Sequence, residues 1–303
     1  MFEEYKDKAT KSITEINSLK PKLIEIFIKY YGPEHETHIT QIINSVNFVF
    51  SYDGNYIISS KMDLESKDIK FINEKLNSNK SSLLGETFCY TKFHPPIINL
   101  GKEAYINGLD LHKLVHELNH MMHAIEVPNL AFADSLMSQF MPGFQNSNVN
   151  KIQIGITDDN ANDIFYEIIN EYMTREILKD TGIVVTDNHY MILDRLLDNK
   201  IYEIFKSYEE KIKEILISHK PYKFFDIMNK EAYLSIRSTL EKLFVGYCDF
   251  NVHYIFGLNE SQEYDVNLEI NEFKKKYKGF LNNLINYIDT NVNKDFGTNS
   301  HKL

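Results

Sequence analysis

The segment LVHELNHMMH, residues 114–123, places two histidines four positions apart, with a glutamate directly after the first. On a helix, His116 and His120 project within about 40° of each other, because each residue advances the helix by about 100°. That spacing lets both imidazoles bind one metal ion at about 2.0–2.1 Å. Glu117 is rotated by about 100° from His116, so it flanks the ion without binding it. A carboxylate there can take a proton from water that the metal activates.

The residues around this pattern decide between a metal site and a chance match on an ordinary helix. The flanking positions are apolar and contain no proline: Leu114, Val115, Leu118, Met121 and Met122. They predict a buried helix, in which His116, Glu117 and His120 would be costly without partners. A zinc ion supplies a partner for all three, and HExxH is the arrangement found in zinc metallopeptidases. The segment therefore predicts one zinc ion (Zn²⁺) per chain.

A catalytic zinc ion also needs a third protein ligand and an open position for water. Glu126 is rejected, because on a continuing helix it lies about 9 Å beyond His120 along the axis. Residues 163–178, DIFYEIINEYMTREIL, predict an apolar helix that Glu167 and Glu171 interrupt four positions apart. Two glutamates on one face either form surface ion pairs or reach a buried cation. The third ligand is expected from this segment.

A family resemblance distinguishes between the two glutamates. The HELNH motif at 116–120, followed by a separate helix with Asn170 and Glu171, resembles the gluzincin class of zinc metallopeptidases, the class of thermolysin. The resemblance covers roughly 60 of the 303 residues. The resemblance implies that His116, His120 and Glu171 bind zinc and that Glu117 is the general base. The chain departs from the thermolysin-like pattern at Arg175, where those enzymes carry an aspartate. By its i, i+4 spacing, Arg175 is also the surface partner that Glu171 would have if it bound no metal.

Peptide hydrolysis further requires a hydrogen-bond donor for the negative charge that develops on the carbonyl oxygen. The segment YCDFNVHY, residues 247–254, offers His253 and Tyr254 from the second half of the chain, and these two are the predicted donors. A purely structural role is the alternative, since the chain contains 19 tyrosines and 11 histidines.

Strand signals precede the HELNH segment. Residues 45–60, SVNFVFSYDGNYIISS, alternate apolar and polar positions around an Asp53-Gly54 turn and predict a β-hairpin. The segments ETFCYTKF and PPIINLG predict two further strands, with Pro95 and Pro96 confining the second to a sheet edge. In zincins such an edge strand pairs with extended substrate. An ordinary edge strand protected by proline is the alternative.

In the rest of the sequence, apolar residues mostly recur at helical spacing. Predicted helices cover residues 3–30 (with a break or offset at Pro21), 63–76, 110–126, 160–180, 188–218, 228–246 and 265–289. Residues 130–158 have the composition of a loop. The expected fold class is α+β and zincin-like, with a small N-terminal mixed sheet, the active-site helix and a mostly helical C-terminal lobe. The expected lobes are 1–130 and 131–303, and the second supplies the third zinc ligand.

Composition limits the possible partners and the location. The net charge of −10 gives no basic face for a nucleic-acid backbone, so no nucleic-acid partner is expected. Two cysteines, Cys89 and Cys248, cannot build a disulfide framework. The sequence shows no signal peptide and no membrane span, which predicts a cytoplasmic protein without a membrane partner. Secretion without a signal peptide is the alternative.

Together these features predict a zinc metallopeptidase whose partner is a peptide or protein substrate. The alternative function is a catalytically silent zincin-fold binding protein, with structural zinc or none. A structural site normally has four protein ligands, and His123 or Glu167 could supply the fourth.

Overall fold

The computed structural model describes nine stretches of the chain. They are residues 2–52, 56–59, 88–90, 97–100, 109–123, 164–185, 187–217, 230–259 and 261–292. The helix predicted at 63–76, the turn at Asp53-Gly54 and the loop-like stretch 130–158 lie outside these residues.

The first helix, α1, runs from Phe2 to Tyr31 without interruption. Pro21 lies inside it, so the predicted break is wrong. Proline removes one backbone donor, but Pro21 is exposed and the buried face of the helix continues past it. That face carries Ile16, Leu23 and Phe27, each at most 3% exposed. A short 3₁₀ turn, Pro33–His35, then leads into α2, Glu36–Ser45.

Four short strands follow: β1 (Asn47–Tyr52), β2 (Tyr56–Ser59), β3 (Phe88–Tyr90) and β4 (Ile97–Leu100). They are ordered β2-β1-β4-β3. The β1–β2 and β3–β4 pairs are antiparallel, whereas β1 and β4 run parallel. Phe48, Val49 and Phe50 of β1 are all buried, so side chains on both of its faces are covered.

The position of β4 corrects the prediction of an edge strand. Ile97 pairs with Asn47 of β1 on one side and with Tyr90 of β3 on the other. The backbone of β4 is therefore already paired on both sides and cannot add an extended substrate. Pro95 and Pro96 come before the first residue of β4 in the sequence.

The other helices are α3 (Leu111–His123), α4 (Ile164–Leu178), α5 (His189–Leu196), α6 (Lys200–Ser207), α7 (Glu209–Ile217), α8 (Lys230–Gly257), α9 (Val266–Lys276) and α10 (Lys278–Tyr287). A π-helical turn, Ile288–Val292, ends the described chain. Among the helices that the structure describes, none combines the length and the apolar character needed to cross a bilayer.

These elements overturn the expected fold class. The described chain is mostly helical, and the strands, of three to six residues each, are a minor part of it. The prediction of an α+β, zincin-like fold built on an N-terminal mixed sheet is therefore wrong. Alternation of apolar residues locates a strand, but it does not say how long the strand is or whether strands dominate an architecture.

The chain divides into two compact units that interleave in sequence. The first contains Met1–Gly155, Met173–Val185 and Leu216–Lys220, and the second contains Ile156–Tyr172, Thr186–Ile215 and Pro221–Leu303. The core of the first includes α1, α2, β1 and α3, whereas the second is built from helices around Phe205, Tyr247 and Phe273. The predicted lobes, 1–130 and 131–303 with the second supplying the third zinc ligand, stay a prediction.

Candidate metal centre

The helix α3 carries the HELNH motif and begins at a side-chain cap. Asp110 Oδ1 accepts hydrogen bonds from the backbone N–H groups of His112 at 3.0 Å and Lys113 at 3.2 Å. These contacts satisfy two of the donors that a helix start leaves open. Eleven of the thirteen residues of α3 are buried, including every residue from Leu114 to His123. The predicted burial of this helix is confirmed.

Polar contacts with α1 and α2 hold the C-terminal half of α3. The Tyr31 hydroxyl donates to Asn119 Oδ1 and lies 2.6 Å from His123 Nε2. His38 Nε2 lies 3.2 Å from the carbonyl oxygen of Met122, and it must donate there because a carbonyl only accepts. These contacts bind the same two turns of α3 that contain the proposed ligands.

His116 and His120 face each other as a converging pair. Their Nε2 atoms are 3.2 Å apart, and their ring planes meet at 77°. Two nitrogens that bind one tetrahedral zinc ion at about 2.0–2.1 Å are separated by about 3.3–3.4 Å. The pair therefore already has the separation of two zinc ligands. The same distance also permits an N–H of one ring to donate to the other, so the distance is necessary for metal binding but does not prove it.

A carboxylate of α4 completes a group of three. The ligand atoms of His116, His120 and Glu167 all lie within 4.8 Å of one another. In a tetrahedral site these separations would be about 3.4 Å, so the carboxylate must approach by little more than 1 Å. Two imidazole nitrogens and one carboxylate oxygen form a ligand set that suits zinc, with a position left for water. The residues present therefore fit a zinc ion.

The structure brings Glu167, and not Glu171, into this group. Glu171 is 0% exposed, as are its neighbours Asn170 and Thr174. Both glutamates lie on one side of α4, since a separation of four residues is about 40° and 6 Å along the axis. The Asn-Glu resemblance selected Glu171, and its role as a ligand stays a prediction. Glu167, considered from the sequence as a possible fourth ligand, is the carboxylate that the structure groups with the two histidines.

Glu117 lies beside the group without belonging to it. Its side chain is 9% exposed, and it directly follows the candidate ligand His116. This is the flanking position that the helical periodicity predicted for a base. Its catalytic role stays a prediction.

The two predicted donors, His253 and Tyr254, lie on α8 in the second unit. His253 is exposed, and its Nδ1 donates to the carbonyl oxygen of Asp249 at 2.6 Å. The Tyr254 ring stacks on Phe250 with ring centroids 6.1 Å apart. Desolvation and then the nearby carboxylate of Asp265 raise the pKa of Tyr254, which keeps its hydroxyl protonated. In the described part of the chain neither residue belongs to the metal group, and their catalytic roles stay predictions.

Sequence reasoning did not find Tyr31. It is 88 residues from Asn119 and 92 from His123, and nothing in the local pattern of α1 singles it out among the chain's 19 tyrosines. His123, which the alternative function offered as a possible fourth ligand, makes a hydrogen bond with the Tyr31 hydroxyl through its Nε2.

No family model matches the chain, and no match was found among curated proteins or solved structures. The functional interpretation therefore depends on the local geometry around α3 and on the carboxylate of Glu167.

Proposed function

We propose that the chain is a zinc-dependent hydrolase that cleaves peptide bonds. The observation that carries the proposal is the 3.2 Å separation of the His116 and His120 Nε2 atoms, with a Glu167 carboxylate oxygen within 4.8 Å. Glu117 then occupies the neighbouring position on the same helix. The proposal depends on this local ligand set and not on a zincin fold, because the described part of the chain is mostly helical.

The residues divide the chemistry between binding an ion and moving a proton. His116, His120 and Glu167 would hold zinc, which would supply Lewis acidity and activate water near neutral pH. Glu117 would accept the proton of the attacking water and pass it to the leaving amine. Glu117 is 9% exposed, so its carboxylate is shielded from bulk water, and a proton that it accepts is retained for the leaving group.

The alternative is a metal-binding protein without catalytic activity. Among the residues that the structure describes, the group contains three ligand residues, which favours catalysis because catalytic zinc typically has three protein ligands and structural zinc has four. A glutamate in the position of Glu117 also has no task in a structural site. A structural zinc ion would require a fourth protein ligand, which X-ray absorption spectroscopy of the bound zinc can detect.

The test measures zinc content and peptidase activity. Protein purified without added metal should contain about one equivalent of zinc per chain, or regain it on dialysis. A peptide library then supplies a cleavable substrate, and Glu117→Gln should retain zinc but lose activity by about 10²–10⁴-fold. Glu241→Gln, an exposed substitution on α8, serves as the matched control and should behave as the parent. A parent that holds zinc in a four-ligand site and cleaves nothing would support the alternative.

The remaining expectations belong to the same proposal. The partner is a peptide or protein substrate, with no nucleic-acid or membrane partner, and the proposed location is the cytoplasm. Fractionation of cells into cytosol, membrane and medium would test the location.

A further inference from the structure

A buried tyrosine connects α1 to the helix that carries the candidate ligands. Tyr31 is the last residue of α1 and is 6% exposed. Its hydroxyl contacts two side chains of α3, Asn119 and His123, which are both 0% exposed. Asn119 directly precedes the candidate ligand His120, and His123 follows that ligand by three residues.

The direction of the two hydrogen bonds is determined by counting protons. The single O–H of Tyr31 is donated to Asn119 Oδ1. The contact with His123 can then form only if His123 Nε2 carries a proton and donates to the tyrosine oxygen. Both contacts therefore depend on one hydroxyl group. The Tyr31 and His123 rings also meet nearly edge-on, at 80°, with centroids 6.0 Å apart.

These contacts restrict rotation of α3 about its own axis. The Nε2 atom of a helical histidine lies roughly 6 Å from that axis, so a rotation of 10° moves the atom by about 1 Å. Ligand atoms in a metal site must lie within about 0.2 Å of their ideal distances. Packing of apolar side chains tolerates a small rotation better than metal coordination does. A polar contact that sets the rotation therefore affects metal binding more than folding.

We infer that Tyr31 is a positioning residue for the metal centre, which sets the rotation of α3 so that the converging His116 and His120 nitrogens lie within reach of the third ligand candidate, Glu167. The inference depends on the proposed zinc site. Supporting groups around metal ligands typically contribute about 10- to 100-fold to metal affinity. Tyr31 acts through the helix and not through a ligand ring, so we expect an effect of about tenfold, at the lower end of that range.

The test compares Tyr31→Phe with Tyr30→Phe in the full chain. The Tyr30 ring lies edge-on to that of Tyr31, with centroids 4.9 Å apart, so it is a matched control from the same helix turn. Zinc affinity is measured by competition with a chromophoric chelator. The ligand-field spectrum of bound Co²⁺ reports the coordination geometry, which a purely structural role would not change. Tyr31→Phe should weaken zinc binding by about tenfold and alter the Co²⁺ spectrum, whereas Tyr30→Phe should match the parent.

A second pair of variants covers the case in which Tyr31→Phe does not fold. His123→Gln retains an N–H donor near the position of Nε2 and should keep nearly the zinc affinity of the parent. His123→Leu removes the donor and should show the same loss as Tyr31→Phe. Equal affinities and spectra in the parent, Tyr31→Phe and His123→Leu would overturn the positioning role alone. A parent that binds neither zinc nor Co²⁺ would overturn the proposed metal centre, and the positioning role with it.

Discussion

Replacement of Glu167 by glutamine removes the charge of the carboxylate that, among the described residues, belongs to the group around the histidine pair. The side chain keeps its size and its place on α4, so the packing of that helix should be preserved. The same substitution at Glu171, one turn later on the same helix, is the natural comparison. The two variants therefore differ in which carboxylate is lost and in little else.

The expected loss of affinity follows from the number of ligands. Four-ligand zinc sites bind with about 10–16 kcal/mol, so one ligand corresponds to roughly 3 kcal/mol, or about 100-fold in affinity. Glutamine retains an amide oxygen that can bind zinc weakly, so Glu167→Ala should lose at least as much. Glu171 is fully buried and lies outside the group of three. For Glu171→Gln we expect a change below about tenfold, the lower limit for groups that only support a ligand.

The assay is competition for zinc against a chromophoric chelator, with circular dichroism to check that each variant is folded. Glu176→Gln provides a background control, because Glu176 lies on the same helix and pairs with Lys179 at 3.2 Å. The reasoning is refuted if Glu171→Gln loses more zinc affinity than Glu167→Gln. In that case the third ligand would be Glu171, as the sequence resemblance implied.

Three further outcomes can be measured on the same protein. Asp110→Ala removes the acceptor at the start of α3 and should lower the free energy of unfolding by about 1 kcal/mol in urea titrations; an unchanged midpoint would contradict the capping role. Burial, and then the hydrogen bond to Glu269, raise the pKa of Tyr264. Its neutral form therefore stabilises the fold below the unfolded-state pKa of about 10, and this stability is lost as the pH rises from there towards the folded-state pKa. Tyr264→Phe should accordingly lose less stability than the parent between pH 8 and 11, and parallel stability curves would argue against this coupling. Removal of zinc by a chelator should lower the melting temperature, because zinc at 100 times its dissociation constant adds about 2.7 kcal/mol to the free energy of unfolding. Readdition of zinc should restore the melting temperature, and a melting temperature that does not change with zinc would contradict a specific site.

The sequence alone predicted the parts of the site that lie within one helix. His116 and His120 converge because a four-residue spacing sets their relative direction wherever the helix is placed. The apolar flanks predicted that α3 is buried, and it is. The hairpin strands β1 and β2 were also located, since alternation of apolar residues acts over a short distance in the chain.

The tertiary structure decided which distant groups meet these local patterns. Glu167 and Glu171 lie on the same side of α4, four residues apart, and the rotation of that helix and its position along its axis determine which carboxylate approaches the histidine pair. β4 was expected at an edge because of its prolines, but pairing with β1 and β3 places it inside the sheet. Tyr31 reaches Asn119 across 88 residues, a contact that no local periodicity encodes. Periodicity sets directions within one element, whereas the packing of buried side chains sets the rotation and order of the elements, and therefore which of them share a site.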